Sequence, residues 1–230
     1  MSDLNLMGKT ALITGAASGI GRSVSTSLAK QGCNLILVDI NTDELEKTVS
    51  MAEKSGVNVF SYTLNIADKT AINELANKIT KQNQLDILVN NAGVALWSSF
   101  EETSPTDFDW IFNINFHGMV EMTRAFLPHL KKRDAAQIVN ISSIFGIVSP
   151  TLQVAYSASK FAIRGFSEGL REELHTTNVG VTVVHPGGIA TNIAHHARAP
   201  KTYSAQKVAY DIEQTKKHLN YHPTKLAKPL

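Results

Sequence analysis

The sequence predicts an α/β fold: one doubly wound parallel sheet with helices on both faces. Three observations carry this. Apolar, β-prone runs alternate with helix-patterned segments along the whole chain. Those runs lack an in–out alternation, as strands buried on both faces do. The first run opens into a glycine-rich turn that leads to a helix. With 230 residues and 43% apolar content, the chain suits a single domain over 1–230 with a buried core.

In order, the first strand is expected at Thr10–Thr14. It runs into Thr14-Gly15-Ala16-Ala17-Ser18-Gly19-Ile20-Gly21. Glycines here allow a tight turn and let the backbone approach a pyrophosphate at the next helix's N-terminus. A glycine-rich strand–helix turn without a ligand is the plainer reading of this stretch alone. The helix follows over Ile20–Gln31, then a strand over Asn34–Asp39. Asp39 ends it, eighteen residues beyond Gly21. A carboxylate there can accept from both adenosine ribose hydroxyls and repels a 2′-phosphate, which favours NAD over NADP. Its rival role, capping the next helix (Asp43–Lys54), suits Asn41 or Thr42 better. Ser18 is not basic and Ile40 is not arginine, so two positions for a 2′-phosphate partner are empty; Arg22 is the nearby cation that could blur the preference.

Further strands are expected at Val57–Thr63, Leu85–Asn90, Gln137–Ile141 and Val179–Val184, with helices at Lys69–Lys81, Pro105–Lys131 and Val154–His175. The last of these helices carries Tyr156-Ser157-Ala158-Ser159-Lys160. Residues four apart share a helix face, so an ammonium lies near a phenol. A free phenol titrates near ~10. A cation nearby favours the phenolate and is expected to lower that value, so that Tyr156 can exchange a proton with an alcohol or a forming alkoxide.

Composition narrows the functional classes. The net charge is +2 with no long run of one sign, which does not suggest nucleic acid. Cys33 is the one cysteine, so an intrachain disulfide is excluded, which suits a reducing, cytoplasmic setting. The N-terminal residues 1–8 have no signal-peptide core, and apolar runs such as Leu35-Ile36-Leu37-Val38 are too short for a bilayer. His195-His196 has no cysteine or carboxylate cluster beside it, so no metal site is expected. No G-x-S-x-G elbow surrounds Ser143, which excludes that hydrolase constellation.

Thr14–Gly21, Asn90-Asn91-Ala92-Gly93, Asn140-Ile141-Ser142-Ser143 and Tyr156…Lys160 together resemble the short-chain dehydrogenase/reductase family, in its single-domain, Rossmann-type branch. The resemblance covers about Met7 to Ile193 and implies an NAD-dependent enzyme acting on CH–OH groups. It makes Tyr156 the acid/base, Lys160 its partner and a ribose ligand, Ser143 (thirteen residues earlier) the orienting serine, and Asn115 the holder of a relay water. Asn113 competes with Asn115, and the spacing to Gly118 favours the latter. The cofactor would meet Gly15, Ser18, Gly19, Ile20, Gly21, Asp39, Asn65, Ile66, Asn91, Ala92, Gly93, Pro186, Ile189 and Thr191. Asn65 stands where the family usually has an aspartate. His185 reads as structural. Trp97, Phe145, Val148 and Leu152 either wall the site or pack the core.

The resemblance also implies a variable substrate lid at about 190–217 and a homodimer or homotetramer formed through the two long helices. His195, His196, Arg198, Lys201 and Lys207 in the lid could attract an acidic substrate or a CoA-type tail, although a solvated face is the plainer reading. The family's last helix and seventh strand are not found before Leu230, so the C-terminal edge strand is expected to be missing. That leaves a non-catalytic dinucleotide-binding protein as the alternative to a dehydrogenase acting on an alcohol, ketone or aldehyde. A Rossmann-like methyltransferase, the third reading, would not need Ser143, Tyr156 and Lys160.

Overall fold

The computed structural model describes residues 5–82, 84–189, 193, 197–200 and 203. Six strands form one sheet: β1 (Thr10–Thr14), β2 (Asn34–Asp39), β3 (Val59–Thr63), β4 (Ile87–Asn90), β5 (Ala136–Ile141) and β6 (Val179–Val184). Their order is β3-β2-β1-β4-β5-β6, and every neighbouring pair is parallel. The helices are α1 (Gly19–Lys30), α2 (Thr42–Glu53), α3 (Lys69–Gln82), α4 (Pro105–Phe112), α5 (Gly118–Leu130) and α6 (Val154–Leu174). The strand order reverses between β1 and β4, which opens a crevice at their C-terminal ends.

The central strands explain the missing alternation. Leu12, Ile36, Leu88 and Ile138 face one way, against Ile72, Ile79, Met122 and Phe126 of α3 and α5. Ala11, Ile13, Leu35, Leu37 and Val89 face the other, against Ala29, Leu45 and Val49 of α1 and α2. Both faces are covered, so the middle positions of β1, β2 and β4 are apolar on either side. The expectation fails for β3 and β6, the outermost strands of the described sheet. In β6 exposed Gly180 and Thr182 alternate with buried Val179 and Val181, and in β3 Phe60 and Thr63 are exposed and the rest half-buried, because each strand has one neighbour and less cover.

Local chemistry sets the ends of the elements. Asn41 caps α2, its side chain accepting from Glu44 N at 3.1 Å. Ser104 caps α4, accepting from Asp107 N at 3.1 Å, and Pro105 supplies the fixed φ of the first turn. The strand expected from Leu85 begins at Ile87, because the Asp86 carboxylate rather than a ladder carbonyl takes the Thr10 N–H, at 2.9 Å. The long helix expected over Pro105–Lys131 is interrupted: α4 passes into a π-helical turn, Asn113–His117, before α5. Most of the expected lid and all of the C-terminal segment fall on 190–192, 194–196, 201–202 and 204–230, outside the described residues.

Candidate active site

The glycine turn after β1 is built by close contacts. Gly15 and Gly19 have φ of +65° and +53°, which suits glycine. A Cβ on Gly15 would lie 2.8 Å from Ala92 Cα, and one on Gly21 would lie 2.7 Å from Asn91 Nδ2. Three bonds pin the loop. Thr48 of α2 donates to Ala16 O at 3.0 Å, Arg22 donates to Ala17 O, and Ala17 N donates to Asp39 Oδ2 at 2.9 Å. Exposed Ser18, the α1 cap residue, puts no side-chain acceptor on the first N–H groups of that helix. The N-terminus therefore offers Gly19, Ile20 and Gly21 N–H groups to an anion.

Asp39 is placed beside this loop by its own bonds, accepting from Ala17 N and, at 3.0 Å, from Asn41 N. Arg22 spans this loop and α2. Its guanidinium pairs with Glu44 at 2.7 Å and donates to Thr48 Oγ1 at 3.0 Å. Hydrogen bonds from Lys47 and then Arg22 hold the Glu44 carboxyl below its usual range. The charge of Arg22 is thus committed to α2. Ile40 is 66% exposed, so its side chain occupies open surface next to Asp39.

Asn91, Ala92 and Gly93 lie across the crevice. The Asn91 amide donates to Thr14 O at 2.9 Å and Gly15 O at 3.0 Å, so its side chain braces the glycine loop. Thr14 Oγ1 accepts from Asn91 N at 3.0 Å and Ala92 N at 3.1 Å, a role the sequence did not signal. Asn65 is exposed and its Oδ1 accepts from Ala67 N at 3.0 Å. Buried Ile66 packs on α5: a Cβ on Gly118 would lie 2.6 Å from Ile66 O. Pro186 and Ile189 follow β6, and Pro186 O accepts from Ile144 N at 2.8 Å. Thr191 lies outside the described residues.

The π-turn holds Asn115, which is buried, while Asn113 is exposed. Asn115 Oδ1 accepts from Val94 N at 2.8 Å, and its amide donates to Val94 O and Ser159 Oγ, each at 3.0 Å. Ser159 Oγ donates in turn to Tyr156 O at 2.7 Å. This chain of bonds ties the π-turn to the backbone of α6 at the tyrosine. Ser159 stood inside the Tyr156–Lys160 stretch with nothing in its spacing to mark it.

Ser143, Tyr156 and Lys160 converge at the end of β5. Ser143 opens the short 3-10 turn Ile144–Gly146, its Oγ accepting from Phe145 N at 3.1 Å. Ser142 bonds to Lys160 O at 2.8 Å, joining β5 to α6. A Cβ on Gly146 would lie 2.8 Å from that same carbonyl, so the 3-10 turn sits directly on α6. Lys160 is 3% exposed, and its Nζ donates to Ile141 O at 3.1 Å and lies 5.6 Å from the Tyr156 ring centroid. The Phe145 ring meets Tyr156 edge-on at 6.2 Å.

Burial reverses the expected direction of the Tyr156 shift. Desolvation pushes the phenol up to about 12, and the Ser143 hydroxyl acts against it. Desolvation also pushes Lys160 down to about 8. An ammonium near the ring does not overcome the cost of a buried phenolate here.

Of the other candidate wall residues, Phe145 packs with Ala95, Leu96 and Tyr156, whereas Val148 is 53% exposed. Leu152 adopts φ +62°, rare for a branched side chain, and its carbonyl accepts from Ser98 N at 3.1 Å. Among described lid residues, Arg198 bridges to Leu96, stacks 3.7 Å over the Trp110 ring and pairs with Asp107 at 2.9 Å. Among the described residues no group of three or more His, Cys, Asp or Glu side chains could hold a metal ion.

The family model described as short chain dehydrogenase matches residues 9–202. The chain belongs to the short-chain dehydrogenase/reductase family. This family member is 42% identical over 193 residues to SadH of Mycobacterium tuberculosis, covering 83% of this chain and 70% of that protein. It is 36% identical over 189 residues to the 3-oxoacyl-[acyl-carrier-protein] reductase FabG of Thermotoga maritima, covering 82% of this chain and 77% of that one. A short-chain dehydrogenase/reductase from Burkholderia phymatum, solved in complex with NAD, superposes with a TM-score of 0.89 at 27% identity, covering 97% of this chain and 84% of that one.

Proposed function

We propose that this oxidoreductase moves hydride between NAD(H) and an alcohol or carbonyl carbon, with Tyr156 as the general acid/base. The convergence of the Ser143 hydroxyl, the Tyr156 phenol and the Lys160 ammonium supports this reading. The cofactor would be held by the N–H groups of Gly19, Ile20 and Gly21, by Asp39, and by the backbone at Asn91–Gly93 and Pro186–Ile189; when bound, it supplies the hydride acceptor or donor. Ser143 Oγ donates to the substrate oxygen as negative charge grows there. Tyr156 gives that oxygen its proton in reduction and removes it in oxidation. Lys160 stabilises the phenolate left behind and hydrogen-bonds the ribose. The Asn115 side chain is committed to Val94 and Ser159, so its relay-water role falls to the main chain, where the π-turn loosens the helical ladder. NADH titration by fluorescence, then an NADH-oxidation screen over ketones, aldehydes, diketones and 3-ketoacyl thioesters, tests the reading. Tight NADH binding with no turnover on any carbonyl would instead favour the non-catalytic alternative.

NAD is preferred over NADP in this reading, because Asp39 stands at the ribose and Arg22 is paired with Glu44. Replacing Asp39 with Ser together with Ile40→Arg removes a repulsive carboxylate and adds a cation on open surface. The NADP(H)/NAD(H) ratio of kcat/KM should then rise by roughly 10²-fold or more, equivalent to about 3 kcal/mol. A ratio unchanged in the double variant sinks the assignment of Asp39.

Assembly through α5 and α6 belongs to the same proposal. Gly165 and Gly169 lie on exposed positions of α6, and a Cβ on either would meet nothing within 4 Å. Each weakens the helix by about 1 kcal/mol relative to alanine, which close approach of a second α6 would offset. Val154 and Phe161 of the same helix are 44% and 40% exposed. Gly169→Arg should lower the mass seen by light scattering to that of a monomer while helical circular dichroism is kept; an unchanged mass rules this interface out. Among the described residues no helix is long and apolar enough to cross a membrane.

A further inference from the structure

We propose that His185 is a positioning residue that holds Ser143 in register with Tyr156. The inference rests on the reaction proposed above. The Ser142–Ile144 segment is clamped by the exit of β6 at three successive points. Ser142 N donates to Val184 O at 2.8 Å, and Ile144 N donates to Pro186 O at 2.8 Å. Between them, His185 Nδ1 lies 3.0 Å from Ser143 O. The partner is a carbonyl, which only accepts, so Nδ1 carries the proton and the tautomer is assigned by geometry.

This bond is the one side-chain restraint in the clamp, and it falls on the peptide of the serine that touches the substrate oxygen. Ser143 Oγ meets Phe145 N and the Tyr156 phenol, and Ser143 O also accepts from Gly146 N at 2.8 Å, a bond within its own turn that does not tie the turn to β6. A shift of the 143–146 turn as a unit would keep its internal Gly146 N–Ser143 O bond and carry Oγ away from the Tyr156 phenol. The Ile144 N–H of this same peptide is tied to Pro186 O, and the imidazole ties its carbonyl to the exit of β6. His185 also joins the serine to Pro186–Ile189, so the orienting hydroxyl and the loop expected at the nicotinamide move as one body. His185 touches no reacting atom in this account; it acts through Ser143.

The test is a cycle of His185→Phe, His185→Asn, Ser143→Ala and the double variant Ser143→Ala/His185→Phe, read by steady-state kinetics and NADH titration. His185→Phe keeps the ring shape and loses the donor. It should lower kcat by roughly 10- to 100-fold, the scale for a misplaced group near the chemistry, and leave the NADH Kd within about twofold. His185→Asn, which can present an amide N–H at the same place, should recover most of the loss. In the Ser143→Ala background, His185→Phe should cost nothing further. Additive losses in that background overturn the proposal, as does an Asn variant no better than Phe. Should the Phe variant fail to fold, His185→Ala takes its place in the same cycle. If the wild-type protein oxidises NADH with no carbonyl, the reaction itself fails, and a crystal structure of the His185 variant decides positioning alone: a displaced Ser143 peptide supports it and an unmoved one overturns it.

Discussion

Tyr156→Phe is expected to lower kcat by roughly 10²–10⁴ while NADH binding is retained, the range for loss of a general acid/base. The ring, its edge-on contact with Phe145 and its place over Lys160 survive in phenylalanine, so the variant isolates the hydroxyl. Lys160→Ala should be as damaging and should also weaken cofactor binding. The pH dependence carries a sign. Tyr156 is pushed up to about 12, so the phenol stays protonated through neutral pH. Carbonyl reduction, which needs that proton, should then be flat from pH 6 upward until Lys160, at about 8, begins to lose its charge. Alcohol oxidation needs the phenolate and should climb with pH from 6 until Lys160, at about 8, begins to lose its charge. Near wild-type turnover in Tyr156→Phe would remove Tyr156 from the mechanism, and oxidation that fell between pH 6 and the Lys160 value of about 8 would remove the phenolate as base.

At the opposite end of the sheet, Asp86→Ala should be strongly destabilising. Asp86 is 3% exposed. Its Oδ1 meets Arg133 Nε at 3.0 Å and Lys9 Nζ at 3.5 Å, and its Oδ2 accepts from Thr10 N. One carboxylate thus ties the start of β1 and the start of β4 to the turn after α5. Breaking a buried pair costs about 3–5 kcal/mol when the remaining charge is stranded. Here the cation side chains are 29% and 21% exposed and can turn to water, so the lower end applies, near ~3 kcal/mol. For a chain of this size that is a fall in Tm of about 6–12 °C. A melt within 2 °C of wild type would mean that these ion pairs contribute nothing net.

What the sequence determined by itself was set by short-range chemistry. Strands β1, β2 and β6 fall on their expected residues, and the α2 and α4 caps are local, as with Asn41. The glycine turn was legible because tight backbone geometry excludes side chains at Gly15 and Gly21 over only a few residues. Tyr156 and Lys160 share a face because a helix repeats every 3.6 residues. The tertiary structure decided what depends on distant partners. Arg22 looked like a cation free to meet a phosphate until α2 brought Glu44 to it, and the Asn115 amide is taken up by Val94 and Ser159, 21 and 44 residues away. Asp86 carried no signal, since its cations come from the N-terminal segment and from beyond α5. The direction of the Tyr156 shift was misjudged for the same reason: spacing places a lysine near a phenol, but desolvation sums over the whole surrounding protein, and in this fold it outweighs the nearby charge.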